Sequence, residues 1–246
     1  MTLLARYAPL LLLLGLWEAS SRLGLVSTQM LPPFSDVAVA FAGLIGDGDL
    51  LANAVASLWR ALLGFSGAVI VGTLLGAGMA LSRTVRLAFN PVVQFFYPLP
   101  KSALIPLVLI WFGLGDASKV VLIFLGCLLP NILGTYNGIT GIDQSLVWSA
   151  RSLGAKRFAI IFGVMLPAAM PQILVGLRTA IAFAFLLMVT SELVIARDGL
   201  GYLIGRLGDS GVYPAMFAVI IAVTILGFAA DRGFLMLTNF LLRWRE

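Results

Sequence analysis

Four long runs without a charged side chain set the limits on this fold: Ala61 to Ser82, Val120 to Ile142, Phe158 to Leu177 and Ser210 to Ala230. Each is about the ~20 residues that an α-helix needs to cross the hydrocarbon of a bilayer. A helix satisfies its backbone hydrogen bonds within its own segment, which lipid requires of any single span. Composition agrees, because 61% of the 246 residues are hydrophobic and the mean hydropathy is +1.05, against roughly 45–50% apolar in soluble domains. Two weaker spans complete the set. One lies around Tyr7 to Ser21 and carries Glu18; the other, Leu87 to Gly115, is interrupted by Lys101 and by Pro91, Pro98, Pro100 and Pro106. The expectation is an all-α membrane protein of about six transmembrane helices.

Arg6 followed by leucines from Leu10 to Leu14 resembles the start of a secretory signal. No small-x-small cleavage site precedes the next polar stretch, so the segment reads as an extra N-terminal helix at about 5–23. Cys127 is the single cysteine and lies inside a span, which rules out an intrachain disulfide, and the chain has no histidine. Zinc chemistry and a serine–histidine catalytic set are therefore excluded, and no catalytic residue, metal or cofactor is expected. The net charge of +5 is dispersed between spans instead of forming a stripe, which argues against nucleic acid.

The dispersed charges read as topology. With the N-terminus cytoplasmic, the inner segments carry nine bases: Arg6, Arg83, Arg86, Arg151, Lys156, Arg157, Arg232, Arg243 and Arg245. The outer side carries four, Arg22, Lys119, Arg197 and Arg206, with Asp36, Asp47, Asp49, Asp116, Asp198 and Asp209. This orientation, with both termini inside, obeys the positive-inside rule and its inverse breaks it.

Between spans the chain is informative in three places. Leu31-Pro32-Pro33 followed by Ser35-Asp36 predicts a turn into a short interfacial amphipathic helix capped at Ser35 or Asp36. Gly72 and Gly76 have the small-xxx-small spacing of closely packed spans. The prolines of the third span break its helix, and irregular backbone at membrane depth needs protein or a water-filled cavity around it. Lys101 sits at that break, either in a polar pathway or in an interfacial hinge between two half-helices.

From Asp143 the pattern becomes amphipathic. Leu146, Val147, Ala150 and Leu153 form one helical stripe that Asp143 caps and Gly154 ends. Phe158, Ile161, Phe162 and Met165 form a second stripe, closed by Leu166-Pro167. Lys156 and Arg157 open this second helix at the positive end of its dipole, which calls for an anionic neighbour, whether lipid headgroups or the acidic rim of a docked protein.

The run Trp148-Ser149-Ala150, three residues, Gly154, Ala155 to Gly163, then Val164-Met165-Leu166-Pro167 resembles the Glu-Ala-Ala loop of ABC-importer permeases. Other stretches are similar to the nitrate, sulfonate, taurine and bicarbonate branch of that family: Leu31-Pro32-Pro33, Ser57-Leu58-Trp59-Arg60 with Gly64-Phe65, Leu99-Pro100-Lys101 through Ile105-Pro106-Leu107, Trp111-Phe112-Gly113, and Glu192 with Gly199-Leu200-Gly201. The resemblance covers nearly the whole chain. It implies one importer transmembrane domain over 1–246 (core about 53–242, coupling segment 143–167) in the inner membrane. It also implies pairing into a permease homodimer, separate cytoplasmic ATPase subunits, and an external solute-binding protein. By the same resemblance, Trp148, Ser149, Ala150, Gly154, Ala155, Leu166 and Pro167 form the ATPase-coupling element. Trp148 and Ser149 stand where the family has glutamate and alanine, so a contact made through that glutamate does not carry over.

No Gly-x4-Gly-Lys-Ser/Thr loop occurs in the sequence, so the energy is expected from a partner. Arg60, Lys101 and Arg178 are the cations nearest membrane depth, and Glu192 is a possible partner or gate. They make the candidate solute path and suggest an anion such as a sulfonate, taurine or nitrate. Arg60 and Arg178 have a second reading, as side chains that snorkel to opposite interfaces. The alternative function is an ion-coupled secondary transporter or channel, which would need an acidic group at membrane depth, where Glu18 and Glu192 are the candidates.

Overall fold

The computed structural model describes residues 3–245, and among them the regular structure is helical. The side chains of Arg6 and Arg245, two of the nine inner bases, lie outside the described residues. The chain forms two compact units: residues 1–57 with 192–226, and residues 58–191 with 227–246.

The first unit begins with α1, Leu3–Arg22, and α2, Phe34–Gly46. The turn between them is tied back to α1, since Trp17 Nε1 donates to Pro32 O at 2.8 Å and Ser21 Oγ to Leu31 O at 2.7 Å. The Leu31-Pro32-Pro33 run thus supplies carbonyls that a neighbouring helix uses. The start of α2 differs from the expected local cap. Pro33 occupies the N-cap position without a side-chain cap bond. Glu18 of α1 does the work instead, accepting from Ser35 N at 3.1 Å and Ser35 Oγ at 3.0 Å while paired with Arg22. A carboxylate from another helix satisfies the free N–H and suits the positive end of the dipole. Asp36 does not cap the helix.

The second unit is built around α6, Asp116–Thr140. Of the four helices long and apolar enough to cross a membrane, α6 is the most enclosed: 56% of its most apolar window is buried, against 28% for α3 (Asp49–Leu81) and 39% for the run Arg157–Val194. The fourth such helix is α11, Tyr213–Leu241. The third expected span is not one helix. It is α4 (Arg83–Phe96), a 3-10 turn (Lys101–Leu104) and α5 (Ile105–Phe112), bent by 93°. Proline explains the break, because Pro98 and Pro100 lack the N–H that would continue α4. Counting the bent pair as one gives five candidate spans among the described residues, one fewer than expected; the expected first span corresponds to α1.

Small residues set the helix spacing. A side-chain carbon on Gly72 would come within 2.7 Å of Asn131 Cβ, and one on Gly76 within 2.6 Å of Ile132 O, so the small-xxx-small pair of α3 lies directly on α6. On its other side α6 meets α9 (Leu166–Ile195), where Gly134 and Gly176 face each other so closely that a Cβ on either would sit 2.7–2.8 Å from the other's Cα. Apolar clusters flank these crossings: Met79, Val93, Leu129 and Ile132 in one, Ile139, Ile142, Ala169 and Ile173 in the other.

Candidate functional site

The expected coupling segment forms a helix, a bend and a helix. α7 runs Gln144–Ser152, and the Asp143 carboxylate accepts from Ser145 N at 2.9 Å as its cap. These bonds hold the Asp143 carboxyl below its ordinary range. At the other end Gly154 has φ +79°, its N–H reaches Arg151 O at 2.9 Å, and Ala155 N reaches Ala150 O at 3.0 Å. This is the doubly bonded helix stop that glycine favours. α8, Arg157–Ile160, follows and passes through a wide π turn, Ile161–Met165, into α9. Leu166 and Pro167 follow the π turn inside the continuous helical run Arg157–Val194, where the missing proline N–H removes one backbone bond.

The faces of this segment differ from the sequence expectation. Of the first stripe, Val147 is buried, while Leu146 and Leu153 stand out, Leu153 being 88% exposed. Leu146 and Leu153, seven residues apart, point the same way at 3.6 residues per turn and lie about 100° round the helix from Val147. Trp148, Phe158 and Phe162 are also exposed, and the two phenylalanine rings stack at 6.5 Å. Ser149 is exposed and Ala150 and Ala155 half-buried. Arg151, Lys156 and Arg157 surround this apolar surface.

The three candidate pathway cations have different surroundings. Arg60 is buried at 3% exposure, and its Nε donates to Asp116 Oδ1 at 2.7 Å; Lys119 approaches the same carboxylate at 3.8 Å. Arg60 is therefore neither a snorkelling side chain nor an open one. Arg178 makes a two-pronged pair with Asp231, at 2.6 and 2.9 Å. Asp231 follows the uncharged run Ser210 to Ala230, and α11 continues through it to Leu241. Lys101 opens the 3-10 turn at the 93° bend. Its Nζ donates to Phe96 O at 2.6 Å, whose helix partner would be the N–H that Pro100 lacks, and to Leu99 O at 2.7 Å, and it lines a cavity of about 630 Å³.

Glu192 belongs to a different structure, in the first unit. It is buried at 1% exposure and accepts from Ser57 Oγ at 2.6 Å and Gly201 N at 3.0 Å. Ser57 Oγ accepts from Leu200 N at 2.8 Å, and Asn53 Oδ1 from Gly199 N at 2.7 Å. These residues close the N-terminus of α10, Leu200–Asp209. Two separate sequence motifs, Ser57 to Arg60 and Glu192 to Gly201, meet here. Asn53 was missed by sequence reading, since an isolated asparagine near a helix start carries no signal of a partner some 146 residues away.

Apolar spans, a helix broken around a lysine, and an exposed amphipathic bend between spans define a multi-span membrane transport component. The chain belongs to the family of binding-protein-dependent transport system inner membrane components, whose model matches residues 68–240. It is 33% identical to the taurine transport system permease TauC of Escherichia coli K12, over 96% of this chain and 87% of that one. It is 36% identical to SsuC of the same organism, named for aliphatic sulfonates transport, over 98% and 93%. A solved structure of the MetNI methionine ABC transporter shares the fold with a TM-score of 0.63, at 20% identity, covering 78% of this chain and 96% of that one. The chain is accordingly a permease component of an ABC transport system.

Proposed function

We propose that this permease imports a small organic anion of the sulfonate class by alternating access, driven by separate cytoplasmic ATPase subunits that dock on the α7–Gly154–α8 bend. The observation that carries the coupling role is the exposed apolar surface of Leu146, Trp148 and Leu153 outside the long apolar helices, continued by Phe158 and Phe162 at the start of the run Arg157–Val194. An aromatic surface of this kind, ringed by bases, fits a cleft with an apolar floor and an acidic rim. Trp148 then supplies apolar contact where relatives of this type use an acid.

The full reading is one transmembrane domain, core about 53–242, paired as a homodimer in lipid and fed by an external binding protein. Both termini face the cytoplasm. The solute class rests on the similarity to TauC and SsuC and on Lys101, the pathway candidate that no carboxylate among the described residues is seen to pair with. Arg60, Arg178 and Glu192 hold the fold instead.

Co-purification tests the coupling role. Gly154→Leu, which forces a branched side chain into a left-handed turn, should abolish recovery of the ATPase with the permease, and Trp148→Ala should weaken it. An intact complex with both variants would remove the segment from the interface.

A further inference from the structure

The cavity beside Lys101 follows one stripe of α9. Thr179, Phe183, Leu187 and Thr190 line it at helical spacing, so it runs along the helix for about 16 Å at 1.5 Å per residue. The opposite wall is α6, from Gly126 to Leu133, and Lys101 and Ser102 close it at the hinge. Its polarity is lopsided. Lys101 is the one basic residue on the lining, and no carboxylate lines it. Two of the three ammonium protons go to Phe96 O and Leu99 O, which leaves one for a ligand. The hydroxyl protons of Thr179 and Thr190 are already donated, to Val175 O at 3.0 Å and Leu186 O at 2.7 Å.

The geometry points to a transit site for a small organic anion with an uncharged aliphatic body, its head at Lys101 and its body against Leu133, Phe183 and Leu187, in preference to an anion that also carries an ammonium group. This rests on the reading of the chain as an organic-anion permease. A second cationic group in this cavity would meet neutral acceptors and a lysine of its own sign, with no carboxylate to compensate its lost hydration. TauC and SsuC are similarly related to this chain, so the cavity supplies a distinction that similarity does not. Gly126 and Leu187 both line the site, and a side-chain carbon on Gly126 would overlap the end of Leu187 and force it to move.

Protection from thiol labelling tests this in the complete permease–ATPase complex. Ser102→Cys and, separately, Thr190→Cys report on the two ends of the cavity, while native Cys127 is buried. Butanesulfonate at millimolar concentration should slow labelling at either reporter. Taurine should need about tenfold more, and Lys101→Gln should weaken butanesulfonate about tenfold, a factor equal to about 1.4 kcal/mol. Gly126→Ala should disfavour long alkanesulfonates relative to methanesulfonate. Equal protection by taurine, protection unchanged by Lys101→Gln, protection by anionic lipid alone, or none at either reporter would each overturn the assignment. ATP-driven sulfonate uptake by the unmodified complex separates the two levels: uptake without protection removes this site and leaves the importer reading, whereas absence of uptake removes the importer reading itself.

Discussion

Gly199 carries two constraints at once. Its φ of +107° lies where L-residues are strained, and a Cβ there would fall on the Glu192 carboxylate. Gly199→Ala should therefore cost about 1–2 kcal/mol from the backbone alone, and more once Glu192 is displaced from Ser57 and Gly201. Thermal unfolding of the purified permease would show this as a midpoint lowered by several degrees. Asp143 makes a prediction with a definite sign. Its folded carboxyl is held below the ordinary value of 3.8 by its bonds to Ser145. Its contribution to α7 is thus complete above that value and is lost as pH falls through the lower, folded one. The protection of α7 amides, taken relative to their intrinsic exchange at each pH, should stay constant from neutrality to about pH 4 and fall below it. In Asp143→Asn that acid-dependent loss of protection should disappear. Both residues were visible in the sequence, Asp143 as a cap and Gly199 as part of a motif. The carboxylate against Gly199 was not, because Glu192 reaches it through the packing of a loop that sequence spacing does not describe.

At the scale of elements, periodicity and proline predicted most of what is seen. The four uncharged runs are helices, the glycine bend at Gly154 is present, and the proline-rich span is broken at Lys101. Helix ends were harder to read. Asp231 follows the uncharged run from Ser210 to Ala230, yet α11 continues past it, because Arg178 neutralises the carboxylate from a neighbouring helix. In the same way, the cap of α2 comes from Glu18 on α1 instead of from its own first residues. Of the stripe Leu146, Val147, Ala150 and Leu153, Val147 is buried while Leu146 and Leu153, seven residues apart, share an exposed direction. The close approach of α6 and α9 went unread because Gly134 and Gly176 are single glycines on different helices. Gly176→Val should separate these helices at a cost of about 1–3 kcal/mol, the usual penalty for overpacking. The check is a lower denaturation midpoint in Gly176→Val than in Gly163→Ala, where a Cβ meets nothing within 4 Å.

For the whole molecule, the account has a division of labour. The buried Arg60 and Glu192 and the solvent-accessible Arg178–Asp231 pair hold helices and loops in place, while Lys101 at the broken span faces a cavity. Sequence reading grouped all four as pathway candidates because an ionisable residue in an apolar run signals function by default. Only the three-dimensional partners separate them. The chain's membership in the binding-protein-dependent transport family makes energy supply the central question, and ATP-dependent uptake is its most direct measurement. Proteoliposomes containing the permease, its ATPase and its binding protein should accumulate radiolabelled alkanesulfonate only when ATP and the binding protein are present, with accumulation abolished by Gly154→Leu. Accumulation that proceeds without ATP under a proton gradient, or that survives Gly154→Leu unchanged, would contradict the account.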